Sequence, residues 1–357
     1  MTRHVRVMEL FAGVGGLGYG FSRLPLFEVV AANEIEPDIA RAYQLNYPQV
    51  QMVNADIASL DEKKLLQMAG GKFIDLVVGG PPCQSYSTLG KRKMDARANL
   101  FLQYLRVLEI LKPQAFVYEN VTGLLSMDGG RLFQQMRQRF GALGYCLQYQ
   151  VLDAADYGVP QHRNRVILVG TWKTTQFVYP APTHGAGRQP YVTLSDALSD
   201  LPVLESGEEK SYFCKAPDNP FLRFVRDTQG LTEHKSPRNG AHLIRIMQTL
   251  KEGQSKDDLP EEIRPKTGYN NTYAKLWWDR PSTTITRNFA CPSSSRCIHP
   301  RDSRAMSIRE GARLQSFPDS YQFYGSDGMK RLEIGNAVPQ LLSIALAQQT
   351  AALFEEK

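Results

Sequence analysis

Three groups of side chains in this sequence are of the right type to do chemistry. The tetrapeptide Pro81-Pro82-Cys83-Gln84 follows the run Asp75-Leu-Val-Val-Gly-Gly80, so a thiol stands at the exit of an apolar segment. A thiolate is a strong nucleophile, whereas a lone buried cysteine is commonly a small apolar filler. Further on, Phe-Val-Tyr118 leads into Glu119-Asn120, an acid at a strand end. The segment Gln161-His-Arg163-Asn-Arg165 then offers two guanidinium groups, for which a structural ion pair is the plain alternative. Upstream, Phe11-Ala-Gly13-Val-Gly15-Gly16-Leu-Gly18 is a turn where backbone can approach a nucleotide-like ligand, because no β-carbon intervenes. Its order, G-x-G-G-x-G, departs from the dinucleotide fingerprint G-x-G-x-x-G. Glu34, ending Ala-Asn-Glu-Ile35, can accept from both hydroxyls of a ribose, as acids do in NAD enzymes too. Asp56 in Asn-Ala-Asp-Ile57 stands at the next strand end, with a helix-capping role as its alternative.

These groups need a frame. Arg6–Leu10, Val29–Ala32, Asp75–Val78, Ala115–Tyr118 and Arg165–Val169 read as strands separated by amphipathic helices, a doubly wound α/β pattern. Leu100, Tyr104, Leu105, Leu108 and Leu111 recur at helical spacing, and Lys112-Pro113 ends that helix. From about Phe177, prolines at 180, 182, 190, 202, 217, 220 and 237 break the alternation, and a second domain is expected. A return to the first is expected over Leu332–Pro339 and an apolar helix from Gln340 to Phe354. The expected division is therefore 1–178 with 332–357 as the large domain, and 179–331 as the small one.

A chain of 357 residues can bury such a core. The basic start Met1-Thr-Arg-His-Val-Arg6 is followed by no apolar run of signal-peptide length, and none reaches membrane-spanning length. A cytoplasmic protein is expected. Five scattered cysteines, Cys83, Cys146, Cys214, Cys291 and Cys297, suit a reducing compartment. Cys291, Cys297 and His299 fit no common zinc spacing, and no metal is expected. The net charge of +6 is mild. Its distribution is less so: Lys275, Arg280, Arg287, Arg296, Arg301, Arg304, Arg309 and Arg313 outnumber Asp279, Asp302 and Glu310, as a phosphate-tracking surface would require.

The Gly-rich turn, Pro-Pro-Cys-Gln, Glu-Asn and Gln-His-Arg-Asn-Arg, in this order, resemble the DNA (cytosine-5) methyltransferase family of bacterial or phage restriction–modification systems. Ser307-Ile-Arg-Glu-Gly-Ala-Arg-Leu-Gln-Ser-Phe-Pro-Asp319 and Gly335-Asn-Ala-Val-Pro339 extend the resemblance almost to the end. It implies a Rossmann-like methyltransferase sheet dependent on S-adenosylmethionine (S-adenosyl-L-methionine), with a smaller target-recognition domain. It also implies methylation of a cytosine within a short sequence of double-stranded DNA.

In that reading Cys83 adds to C6 of a flipped cytosine, Glu119 protonates N3, Arg165 holds O2 and Arg163 supports the closed catalytic loop, which Ser85 to Asn99 resembles. Burial of Glu119 would favour its neutral form. The donor would lie among Phe11, Gly13, Gly15, Gly16, Glu34, Ile35, Asp56, Ile57, Pro82 and Leu100, closed over by Asn336 and Val338. Glu9 stands where many relatives have Asp, and keeps its charge.

Sequence specificity would reside between Arg165 and Arg280, where Arg223, Arg226, Lys235, Arg238, Asn239, Lys266, Asn270 and Asn271 are candidates. A monomer associated with the nucleoid, either accompanied by a restriction endonuclease acting on the same site or standing as an orphan methylase, completes the expectation. The rivals are a transfer-RNA cytosine-5 methyltransferase, whose characteristic Cys-Phe-Thr segment is missing here, a catalytically silent DNA-binding module, and a NAD-dependent oxidoreductase.

Overall fold

Short apolar runs buried on both faces need helices on both sides, and this is how the first half folds. The computed structural model describes residues 4–82, 100–172, 176–266, 268–269 and 271–355. They fall into two compact units: 1–153 with 164–181 and 342–357, and 154–163 with 182–341. Segments 154–163 and 332–341, expected in the large domain, cluster with the second unit.

Unit 1 is built on a seven-stranded sheet. Its elements run β1 (Val5–Leu10), α1 (Gly18–Arg23), β2 (Phe27–Glu34), α2 (Pro37–Asn46), β3 (Gln51–Asn54), α3 (Glu62–Met68), β4 (Leu76–Gly79), α4 (Leu100–Leu111), β5 (Ala115–Val121), α5 (Arg131–Ala142), β6 (Tyr145–Asp153) and β7 (Asn164–Trp172). The strand order is β3-β2-β1-β4-β5-β7-β6. The first five strands are parallel, and β7 enters antiparallel between β5 and β6. All five expected strands are present, and β3 and β6 join them. The order reverses beside β1, so β1 and β4 diverge at their carboxyl ends, where open α/β sheets hold ligands. The core beneath is closed by Tyr104 of α4, whose hydroxyl donates to the carbonyl of Val117 at 3.1 Å while its ring meets Phe116 and Tyr118 edge-on.

Unit 2 contains α6 (Leu194–Leu198), α7 (Pro220–Val225), α8 (Ala241–Thr249), the short parallel pair β8 (Ala274–Lys275) and β9 (Arg296–Ile298), α9 (Ile308–Leu314) and α10 (Asp327–Asn336). The final helix, α11 (Gln340–Ala351), belongs to unit 1 from residue 342 onward. The basic stretch does not form the expected surface in full. Lys275, Arg304, Arg309 and Arg313 are buried. Arg304 grips Glu310 through both terminal nitrogens at 2.7 Å, and Arg313 bridges Asp200 and Asp319. Arg309 donates to carbonyls of Thr232 and Pro318. These cations brace the fold, and Arg280, Arg287 and Arg301 remain exposed. Among the described residues no helix is long and apolar enough to cross a membrane.

Candidate active site

β4 delivers Gly79-Gly80-Pro81-Pro82 to the carboxyl edge of the sheet, and β5 delivers Glu119 and Asn120 beside it. The Asn120 side chain, buried, donates from Nδ2 to the carbonyl of Pro81 at 2.9 Å and accepts from its neighbour Val121 N at 2.9 Å. This amide pins the Pro-Pro turn to the strand end. No sequence pattern distinguishes this role for Asn120 from that of a residue merely following Glu119. Cys83 and the loop Ser85 to Asn99 lie outside the described residues.

The Glu119 carboxylate receives Arg165 Nε at 2.8 Å; both side chains are nearly buried, at 12% and 11% exposure. Arg165 lies opposite Val121 on the neighbouring antiparallel strand, and Glu119 opposite Ile167, so the pair is a cross-strand diagonal. Two residues 46 positions apart in the sequence are thus brought together. The ion pair named as the plain alternative for Arg165 is present, and it is made with the candidate acid. Arg165 Nη1 donates to Asn164 O at 2.7 Å, while Nη2 makes no hydrogen bond among the described residues. Gly80 packs against the Glu119 carboxyl, a position sequence reading had not singled out.

Arg163 has an internal duty. It is 1% exposed, and its Nη1 and Nη2 donate to the carbonyls of Ile285 and Gly335, each at 2.8 Å, within unit 2. Gln161, also buried, donates to Leu314 O and Gln315 Oε1 and accepts from Ile285 N. Asn336 and Val338 belong to unit 2, with Asn336 exposed and Val338 buried.

The glycine-rich turn after β1 is tied to two acids. Glu34 accepts from Gly13 N at 2.9 Å through one oxygen, and from Ile35 N and Glu36 N at 2.8 and 3.0 Å through the other. Burial raises its pKa, and these N–H donors pull it back. Glu9 is buried, accepting from Gly18 N at 2.8 Å and from the Tyr43 hydroxyl at 3.0 Å. Burial outweighs both bonds and pushes its pKa up to about 7. The carboxyl of Glu9 therefore closes the turn from within.

Several features fit a nucleoside ligand here. Each oxygen of Glu34 keeps acceptor capacity beyond its backbone bonds. A β-carbon on Gly13, whose φ is +54°, would meet nothing within 4 Å, so open space adjoins Glu34. Ile35 is an exposed apolar side chain, at 55%, at the rim. Phe11, half-buried, is held at φ 52°, a left-handed conformation uncommon for a bulky residue. Asp56 caps the helical turn Ile57–Ser59 by accepting from Ala58 N at 2.9 Å, so the capping alternative is realised, with its second oxygen left over. Ile57 is buried, Leu100 half-buried and Pro82 exposed.

Comparison with known proteins gives consistent matches. The family model for C-5 cytosine-specific DNA methylase matches residues 5–352. The Type II methyltransferase M1.HphI of Haemophilus parahaemolyticus is 32% identical over 345 residues, covering 96% of this chain and 85% of that protein. M.DdeI of Desulfomicrobium norvegicum, also a Type II methyltransferase, is 34% identical over 383 residues, covering 98% and 89%. Among solved structures, a DNA modification methyltransferase encoded within an E. coli prophage superposes with a TM-score of 0.80 at 23% identity, covering 99% of this chain and 100% of that one. The S. pombe Dnmt2 methyltransferase gives 0.63 at 20% identity, covering 98% and 99%. At these identities the structures bear on the fold alone.

Proposed function

Because the chain belongs to the C-5 cytosine-specific DNA methylase family, we propose that the pair Glu119–Arg165, beside the turn that leads into Cys83, is its catalytic centre. The protein is a DNA (cytosine-5) methyltransferase of the Type II restriction–modification kind, and its methyl donor is S-adenosylmethionine. The observation that carries the catalytic reading is the 2.8 Å contact of Arg165 Nε with Glu119, made where Asn120 pins Pro81.

C5 of cytosine is a poor nucleophile in the intact ring, and the remedy is addition at C6. The Cys83 thiolate forms a bond to C6, and the displaced electron pair moves through the ring to N3. Glu119 delivers a proton there, so that no full charge builds on the base. A guanidinium N–H of Arg165 donates to the ring carbonyl at O2, and the contact of Arg165 Nε with the carboxyl of Glu119 fixes both groups in one geometry. C5, now the carbon of an enamine, takes the methyl group. Transfer of the C5 proton to water restores the enamine. Its collapse returns the N3 proton to Glu119 and expels the thiolate of Cys83. When bound, S-adenosylmethionine supplies an electrophilic methyl carbon. Glu34 and Asp56 would hold its hydroxyl and amino groups, and Phe11, Ile35, Ile57, Pro82 and Leu100 would provide apolar contact.

A base stacked in a duplex does not present its C6 face, so the target cytosine leaves the helix, at a cost of a few kcal/mol. A restriction endonuclease acting on the same site and a monomeric enzyme complete the proposal. The test is incubation with labelled methyl donor and, in parallel, unmethylated duplex DNA and transfer RNA, followed by bisulfite mapping. Label at C5 of cytosine in one recurring duplex sequence is expected; label in RNA alone overturns the substrate. The Cys83→Ser variant should bind duplex and transfer nothing, and undiminished transfer would remove the nucleophile.

A further inference from the structure

Unit 2 contains a cavity of about 490 Å³ that the catalytic chemistry does not use. Its lining includes Arg238, Asn239, Tyr273, Asn288, Cys291 and Arg331, and no carboxylate. Arg238 is exposed and Arg331 half-buried, and neither guanidinium has a carboxylate within ion-pairing distance among the described residues. Several other cations of the unit are paired: Arg226 reaches Asp200, Lys235 reaches Glu209, and Arg304 and Arg313 each hold two acids. Two cations left without acids around one concavity attract an anion.

Cys291 lies in the same lining, within reach of the charge of Arg331. Burial acts to raise its pKa, yet bonds with the hydroxyls of Ser293 and Ser294, at 3.2 and 3.4 Å, and the charge of Arg331 bring it below its ordinary value.

Shape decides which part of DNA fits. Base edges lie on the floor of a groove and are read by an element that protrudes into it, whereas phosphates stand proud of the duplex. We infer that this cavity receives a backbone phosphate of the duplex, with Arg238 and Arg331 as its donors, and so positions the DNA without reading its sequence. The inference rests on the DNA methyltransferase reading and adds a contact outside its catalytic centre.

Two measurements test it. In the wild-type protein, alkylation of each cysteine by iodoacetamide is followed by peptide mass spectrometry, with and without duplex. Bound DNA should slow modification of Cys291 several-fold and leave exposed Cys146 unchanged. Arg238→Gln and Arg331→Gln should each weaken binding about ten-fold at 0.1 M salt and reduce the slope of log affinity against log salt by roughly one. The losses should be equal for duplexes with and without the target site. Loss confined to the target duplex, at unchanged salt slope, would make these residues base readers and overturn the inference. Unaltered alkylation of Cys291 under a duplex that is bound and methylated would overturn it too. Failure to methylate any DNA would instead strike the underlying reading.

Discussion

A β-carbon placed on Gly80 would stand 2.6 Å from Oε2 of Glu119, closer than van der Waals contact allows. The colliding atom is the end of a flexible side chain, so the sheet can absorb the change by displacing the carboxyl group. The Gly80→Ala variant should therefore fold with an unfolding temperature within a few degrees of wild type. Its turnover should nevertheless fall about a hundred-fold, since small misplacements of a catalytic group are costly. Steady-state methylation compared with thermal unfolding checks both halves.

Arg165 serves Glu119 through the shape of its fork as well as its charge. Arg165→Lys retains a cation but cannot place one nitrogen on the carboxylate and another on a base carbonyl. Turnover should drop at least ten-fold with little change in affinity for the methyl donor, and Glu119→Gln should lower it by orders of magnitude. A loss confined to donor binding in either variant would mean the pair has been misassigned.

Asn120 touches the turn rather than any reacting atom, so its removal should affect rate more than binding. Asn120→Ala leaves the Pro81 carbonyl without its buried donor, and kcat should fall about ten- to a hundred-fold while KM for duplex stays within a factor of three. Proportionate loss of kcat and protein stability, with no recovery in Asn120→Ser, would reduce this residue to a structural brace.

The Glu9 carboxyl has a pKa near 7 when folded, against 4.5 for the ordinary group, because burial penalises its charge. A raised acid pKa stabilises the fold fully below about pH 4.5, and the contribution is lost as pH rises through 7. Relative to Glu9→Gln, the cofactor-free wild type should therefore lose stability between pH 5 and 7, by up to about 3 kcal/mol, and change little above. Urea unfolding of both proteins at several pH values measures the difference.

Arg313 is fully buried between Asp200 and Asp319. Arg313→Met would remove the bridging cation and leave Asp200 and Asp319 only the longer contacts of Arg226 and Arg309, at 3.6 and 3.9 Å, and breaking such a buried cluster costs about 3–5 kcal/mol. The denaturation midpoint should fall accordingly. Arg280→Met, at an exposed cation, should leave it nearly unchanged.

The central strands were legible because β1, β2, β4 and β5 are short apolar runs with few other foldings available. β6 was not: among the described residues it pairs only with β7, and it exposes Tyr149 and Val151 and carries Gln148 and Gln150, so its pattern resembles a polar connector. Charge counting misjudged the stretch from Lys275 to Arg313, because composition does not say which way an arginine points. Arg313 finds Asp200 more than a hundred residues away, a pairing no local pattern announces. At the candidate site the residue types were readable from their order, whereas the clamp of Asn120 on Pro81 needed the sheet register to appear. Asp56 shows the converse, where a local capping role was foreseen and is realised.

Ser343 of α11 accepts from Gly20 N at 2.8 Å and donates to the carbonyl of Leu17, clasping the helix that follows the glycine-rich turn. A ribosome makes Leu17 and Gly20 early and Ser343 more than three hundred residues afterwards. The helix after the glycine-rich turn thus lacks this clasp until Ser343 has been made. A nascent chain can have its strands in register and still lack that clasp, so synthesis itself sets the moment at which this part of the enzyme is completed.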